Sequence, residues 1–282
     1  MRHTLRHHSG VKAAEGVERD GRREGAWTFW NEHGRREVEE EYQAGLRHGW
    51  HVRFHTLNQR KRAEGRFERD LREGPWSFWH ENGELASQGE FRAGARQGVW
   101  RTWHDNGAQE SEGAWLDDAP DGAWRTWHRN QRPASSGAWR AGKRVGPWTY
   151  WHPNGRRAAA GEYVDGEREG TWRTWHKNEQ CESEGAWQAG LRTGPWRAWH
   201  ESAGLRCEGT FVEGEAFGWW TFWYEHGGKR SEGEMREGKQ VGPWEAWHSD
   251  GSANREEAGI YWEDELLLRK RGPSFLSDTP PR

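Results

Sequence analysis

Apolar positions along this chain are carried mostly by aromatic residues in short alternating runs, and the runs recur at a nearly fixed distance. A Gly-x-aromatic-x-x-aromatic element opens at Gly25, Gly49, Gly74, Gly98, Gly122, Gly146, Gly170, Gly194, Gly218 and Gly242. The step is 24 residues, except between Gly49 and Gly74, where it is 25. A step that regular marks one structural unit copied and stacked.

Within a unit the alternation predicts two short strands. In the unit from Gly98, Asn106-Gly107 is flanked by β-favouring residues, and Asn-Gly is a strong hairpin signal because a type I′ turn needs positive φ at both central residues. Asn82-Gly83 and Asn154-Gly155 repeat it, and Asp165-Gly166, Ala189-Gly190, Glu213-Gly214 and Glu237-Gly238 supply a second turn per unit. Counting outward from a two-residue Asn-Gly loop sets Trp100 opposite Gly113 and Arg101 opposite Glu112. The same count pairs Trp172 with Gly185, Arg173 with Glu184, Trp196 with Gly209 and Arg197 with Glu208, whereas Arg125 meets Ser136. In this register a Trp ring covers the strand glycine opposite it, and opposed charges add about 0.2–1 kcal/mol per pair.

Alternation then separates the two aromatics of the motif. The first Trp (Trp100, Trp124, Trp148, Trp172) shares a face with the aromatic of the second strand (Trp115, Trp139, Tyr163, Trp187) and builds the core. The second Trp (Trp79, Trp103, Trp127, Trp151, Trp175, Trp199, Trp223, Trp247) points to the other, more solvated face. The expected fold is all-β: an elongated array of about ten antiparallel β-hairpins forming a single twisted sheet about 95 Å long, at about 9.6 Å per hairpin. A β-helix with one coil per unit is the competing arrangement.

The unit resembles the MORN repeat variant, in which Gly-x-Trp-x-x-Tyr-x-x-Asn-Gly is followed by Glu-x-x-Tyr-x-x-Gly, as in YwqK-type bacterial antitoxins. The resemblance runs from about Gly25 to Tyr261, with Trp here where that family favours Tyr, and with His after the second Trp. It implies a hairpin array used for binding or scaffolding, with no catalysis and no cofactor.

The ends differ from the middle. Residues 1–24 hold a degraded half repeat around Glu15-Gly16-Val17 and form an expected N-terminal cap, and residues 25–262 carry the ten repeats. Residues 263–271 read as a capping strand and 272–282 as a disordered tail, in which Phe275 and Leu276 could form a short docking motif.

Composition narrows the function. Only 32% of residues are hydrophobic and 31% are charged, so stability must come from repeated aromatic contacts of 24 Trp, 9 Phe and 5 Tyr rather than from a thick core. Net charge is −3 with the signs interleaved, which shows no basic stripe for nucleic acid and disfavours attachment to an anionic membrane. No apolar leader or 18-residue apolar run occurs, so a cytoplasmic protein is expected. Cys181 and Cys207 stand in adjacent units at registers that differ by two positions, too far apart for a bridge, and are expected as free thiols.

Candidate chemistry is sparse. His55, His80, His104, His128, His152, His176, His200 and His248 share one position of the repeat. Successive ones would lie about 9.6 Å apart, whereas the ligands of one zinc converge within about 2.1 Å of it, so no metal is expected. Histidines titrate near pH 6.5 as a class, so acidification would favour acidic partners. The acids at Glu64, Glu112, Glu184, Glu208, Glu232 and Glu256 read as cross-strand partners rather than calcium ligands. No unique nucleophile, base and orienting acid stands out, so the chain reads as a non-enzymatic scaffold. The expected partner is a protein, with a toxin among the candidates. Its contacts would be the second-Trp row with His104, His128, His152 and His176; a carbohydrate stacked on that row is the alternative.

Overall fold

The computed structural model describes residues 2–269, and they form 23 strands with no helix among them. The chain divides into two compact units, residues 1–143 and 144–282. In the N-terminal unit the strands from Arg2–Arg6 to Pro133–Arg140 each run antiparallel to their chain neighbours. The C-terminal unit repeats this from the strand Lys143–Trp151 to Glu265–Arg269. A β-helix would stack its coils in parallel, so each unit is the expected hairpin array.

The predicted register holds, although the turn that was to set it is of another kind. Trp100 pairs with Gly113, Arg101 with Glu112, Trp172 with Gly185, Arg173 with Glu184, Trp196 with Gly209, Arg197 with Glu208 and Arg125 with Ser136. At the Asn-Gly end, Gly107 has φ 79° whereas Asn106 does not enter the positive-φ region. The Gly107 N–H donates to the His104 carbonyl at 2.9 Å, and the His104 N–H donates to the Ala108 carbonyl at 2.8 Å. That is a three-residue loop with a left-handed glycine, not a type I′ turn. Asn106 Oδ1 accepts the Ala108 N–H at 3.1 Å, so the asparagine stabilises the loop through its side chain. The extra loop residue is offset by a bulge between Gln109 and Ser111, which returns Trp100 to Gly113. The type I′ turns lie at the opposite end of each hairpin, as at Ala189-Gly190, with φ 47° and 79°. The single 25-residue step has a local cause: the loop His55–Arg60 holds one more residue, closed by the Gln59 N–H on the His55 carbonyl at 3.0 Å.

The tryptophan cover also falls elsewhere than expected. A Cβ on Gly113 would come within 2.2 Å of Trp124, not of its hairpin partner Trp100, whose ring lies over Gly89 of the preceding hairpin. The same offset puts Trp27 over Gly16, Trp76 over Gly65, Trp172 over Gly161, Trp220 over Gly209 and Trp244 over Gly233. Each indole N–H then donates to the carbonyl just past that glycine, as Trp100 Nε1 does to Glu90 at 3.1 Å and Trp172 Nε1 to Glu162 at 3.0 Å. Trp124, for example, pairs with Gly137 in its own hairpin and with Gly113 in the preceding one, and its ring lies over Gly113. The first Trp therefore joins successive hairpins. Trp76 and Trp172 are 2% and 1% exposed. Edge-to-face contacts with Phe67, Phe91, Tyr163 and Phe211 complete this aromatic row.

The last repeat departs from the others. Trp244 faces Gly259 across a longer connection organised by Asn254, whose Oδ1 accepts the N–H groups of Glu256 and Glu257. Glu256 therefore lies in a turn and is not a cross-strand acid. Glu263 and Asp264 form a positive-φ turn, so the final strand starts at Glu265 rather than 263. The tail expected over 272–282, with Phe275 and Leu276, lies outside the described residues. Cys181 and Cys207 are free, and burial pushes both thiols up from their ordinary pKa.

Candidate binding faces

The second tryptophans do lie on the face opposite the core row. All eight, Trp79, Trp103, Trp127, Trp151, Trp175, Trp199, Trp223 and Trp247, are half-buried rather than freely exposed. Cations from the preceding hairpin's second strand rest on some of them: Lys61 lies 6.0 Å from Trp79, Arg157 5.2 Å from Trp175 and Lys229 5.8 Å from Trp247. Open clefts lie along the same face. One is lined by Trp151, Trp175, Arg156, Arg157 and Glu179, and another by Trp199, Arg197, Pro195 and Glu184.

The histidines clamp neighbouring hairpins together. Nε2 of His104 meets the Trp127 carbonyl at 3.0 Å, His152 meets Trp175 at 2.8 Å and His176 meets Trp199 at 2.9 Å. His55, His80 and His200 repeat the contact on Trp79, Trp103 and Trp223, and Tyr224 makes it with its hydroxyl on Trp247. His128 holds the same loop position, its backbone N–H on the Arg132 carbonyl at 2.9 Å. A carbonyl only accepts, so Nε2 carries the proton in each clamp.

On the core face a row of arginines covers the aromatics. Arg23, Arg47, Arg72, Arg96, Arg144, Arg168 and Arg192 each precede a motif glycine by two residues. Arg72 lies 5.0 Å from the Phe91 ring, Arg168 4.2 Å from Trp172 and Arg192 4.0 Å from Phe211. The fixed position before the glycine was the signal for this row, which interleaved charge along the chain conceals. Burial, with the charge of Arg47, lowers the Arg72 pKa from its ordinary value.

One hairpin breaks the Trp-on-Gly rule. Where other units place Gly and Trp, the N-terminal unit places Glu40 and His51. His51 Nδ1 lies 2.9 Å from Glu40 Oε2, and both side chains are about nine-tenths buried, at 11% and 10% exposure. Tyr42 donates its hydroxyl to Glu40 Oε1 at 2.5 Å and accepts from Arg23 at 3.0 Å. Burial alone would raise the Glu40 pKa, but the hydrogen bonds from His51 and Tyr42 outweigh it and hold the carboxyl below its usual value. Burial and the Glu40 carboxylate push the Tyr42 phenol up to about 12.

Residues 72–93, which span the Trp76 and Trp79 motif and its second strand, match the MORN repeat variant. No curated protein matches the chain. Among solved structures, the crystal structure of TcdB2-TccC3 is similar at 8% identity and a TM-score of 0.22, over 94% of this chain and 18% of that one. The Photorhabdus luminescens Tc holotoxin pore follows at 10% identity and 0.20, over 89% of this chain and 15% of that one. The chain thus spans less than a fifth of the length of either.

Proposed function

We propose that this chain is a non-enzymatic repeat scaffold that holds another protein along its hairpins. The observation that carries this is repetition itself. Arginine, tryptophan and histidine return at the same position of hairpin after hairpin, which suits a ligand as extended as the surface. Trp and Arg are also the residue types that dominate interface energetics. Among the described residues four aromatic side chains stand out, Trp50, Phe217, Trp219 and Trp262, with Trp219 58% exposed. The finer proposal is an immunity or antitoxin role, in which the held protein is a toxin made in the same cell.

The test is affinity capture with the full chain from native lysate, read by quantitative mass spectrometry. A single protein recovered in fixed ratio supports the scaffold. Recovery of polysaccharide with no protein in fixed ratio would contradict it and favour carbohydrate stacked beside Trp199.

A further inference from the structure

Two arginines of the N-terminal unit are capped by the chain's own carboxylates. Arg47 donates from Nε to Asp70 Oδ1 at 2.8 Å and from its backbone N–H to the same oxygen at 3.1 Å. Arg96 does the same with Asp118, at 2.9 and 3.0 Å. In each case the aspartate is the second residue of the type I′ turn one hairpin further on. Its backbone N–H donates to the carbonyl of the arginine it caps, at 3.0 Å for Asp70 and 3.3 Å for Asp118.

The same backbone bond recurs without a carboxylate at Arg72, where Gly94 donates at 2.9 Å, and at two arginines of the C-terminal unit. Gly190 donates to the Arg168 carbonyl at 3.1 Å, and Gly214 donates to that of Arg192 at 2.9 Å. Both guanidiniums rest on rings, Arg168 on Trp172 and Trp187 at 4.2 and 4.8 Å, and Arg192 on Phe211 and Trp196 at 4.0 and 5.8 Å. The nearby acids are committed or peripheral. Glu184 and Glu208 pair with Arg173 and Arg197 on the opposite face, and Glu167 Oε2 stands 2.3 Å from where a Cβ on Gly190 would lie, so a partner carboxylate at Arg168 displaces it.

We infer that Arg168 and Arg192 form a two-point docking strip for an acidic, extended segment of a partner protein. The partner's carboxylates would take the places that Asp70 and Asp118 fill in the N-terminal unit. The inference rests on the scaffold reading and names where the partner is held. Consecutive hairpins repeat every 9.6 Å or so, roughly two strand spacings. A polyproline II segment advances about 9.3 Å in three residues and returns its side chains to the same side. Acidic residues at i and i+3 therefore meet both arginines in step. Each guanidinium is anchored on a ring, that of Arg168 also by the Tyr163 hydroxyl, and its remaining N–H groups suit a carboxylate. The chain's net charge of −3 works against a polyanion such as nucleic acid, whereas a short acidic segment needs only the local positive potential.

The experiment is fluorescence anisotropy of a labelled peptide of repeated Glu-Pro-Pro triplets against the full chain, beside an Arg168→Gln/Arg192→Gln variant and a Gly214→Asp variant. The turn position tolerates Asp, since Asp70 and Asp118 occupy it at φ 68° and 63°. The peptide should bind in a salt-sensitive manner, and each variant should weaken it by about tenfold, the second because its new carboxylate caps Arg192 from within. Binding unchanged in both variants would overturn the strip, as would tighter binding of single-stranded oligothymidylate than of the peptide. A captured partner still held by both variants would also sink the strip while leaving the scaffold standing. Peptide binding that responds to both variants, with no protein captured from lysate, would support the strip and defeat the scaffold.

Discussion

The hairpin that opens at Gly49 and the hairpin that opens at Gly98 solve one packing problem in two ways. In the second, Trp100 lays its indole over Gly89 and donates to the Glu90 carbonyl. In the first, Glu40 fills the glycine position, so an indole has no room, and His51 takes its place with a hydrogen bond to the new carboxylate. Glycine and tryptophan are therefore matched partners across the junction between hairpins, and changing one requires changing the other. The regular junction is apolar and insensitive to pH, whereas the exceptional one depends on a charge.

The largest effect should come from breaking the regular junction. Trp100→Ala should destabilise the protein by about 3–5 kcal/mol. Gly89→Val should cost a similar amount, because a Cβ there would stand 2.3 Å from Trp100 Cδ2. Chemical denaturation monitored by Trp fluorescence measures both. If Gly89→Val is tolerated, the two residues are not matched. At the exceptional junction, Glu40→Gln should cost about 2–3 kcal/mol by stranding His51 and Tyr42. The double change Glu40→Gly/His51→Trp should restore parent stability or exceed it, and a further loss in the double variant would show that the two junctions are not equivalent.

A smaller effect follows from the depressed Glu40 pKa. Folding favours the ionised form, so its contribution is present above the ordinary glutamate value of about 4.3 and is lost as pH falls below that through the folded-state value. Urea midpoints of the parent should therefore fall between about pH 5 and 3 more steeply than those of the double variant. Parallel curves would remove Glu40 from the account. The smallest effect belongs to the exposed pairs such as Arg101 with Glu112, 2.6 Å apart. Glu112→Gln should cost about 0.2–1 kcal/mol, and less at high salt; a loss above 2 kcal/mol or so would mean that the pair is not the surface contact described.

Much of this was legible in the sequence. The recurring glycine gave the unit, and alternation separated Trp100 from Trp103. The cross-strand pairs follow even though the Asn106-Gly107 loop holds three residues rather than two, because the bulge after Gln109 offsets the longer loop. What sequence could not show was which of two flanking tryptophans covers a given glycine. Gly113 pairs with both Trp100 and Trp124, and only the backward tilt of the indole decides between them. The arginine row stayed hidden for a related reason. Arginines interleaved with acids along the chain are brought onto one face once alternate side chains face opposite ways, although Arg47 and Arg96 still meet Asp70 and Asp118. The histidine column was visible as a column, but its role as a clamp needed the position of the next hairpin's carbonyl.

The most direct test of the junction is the chemical shift of the Gly89 α-protons by NMR. An indole stacked over them should move them strongly upfield by its ring current. The account predicts that Trp100→Leu abolishes this shift and Trp76→Leu leaves it in place, although Trp76 is the partner of Gly89 within its own hairpin. Loss of the shift with Trp76→Leu and its survival with Trp100→Leu would contradict the account.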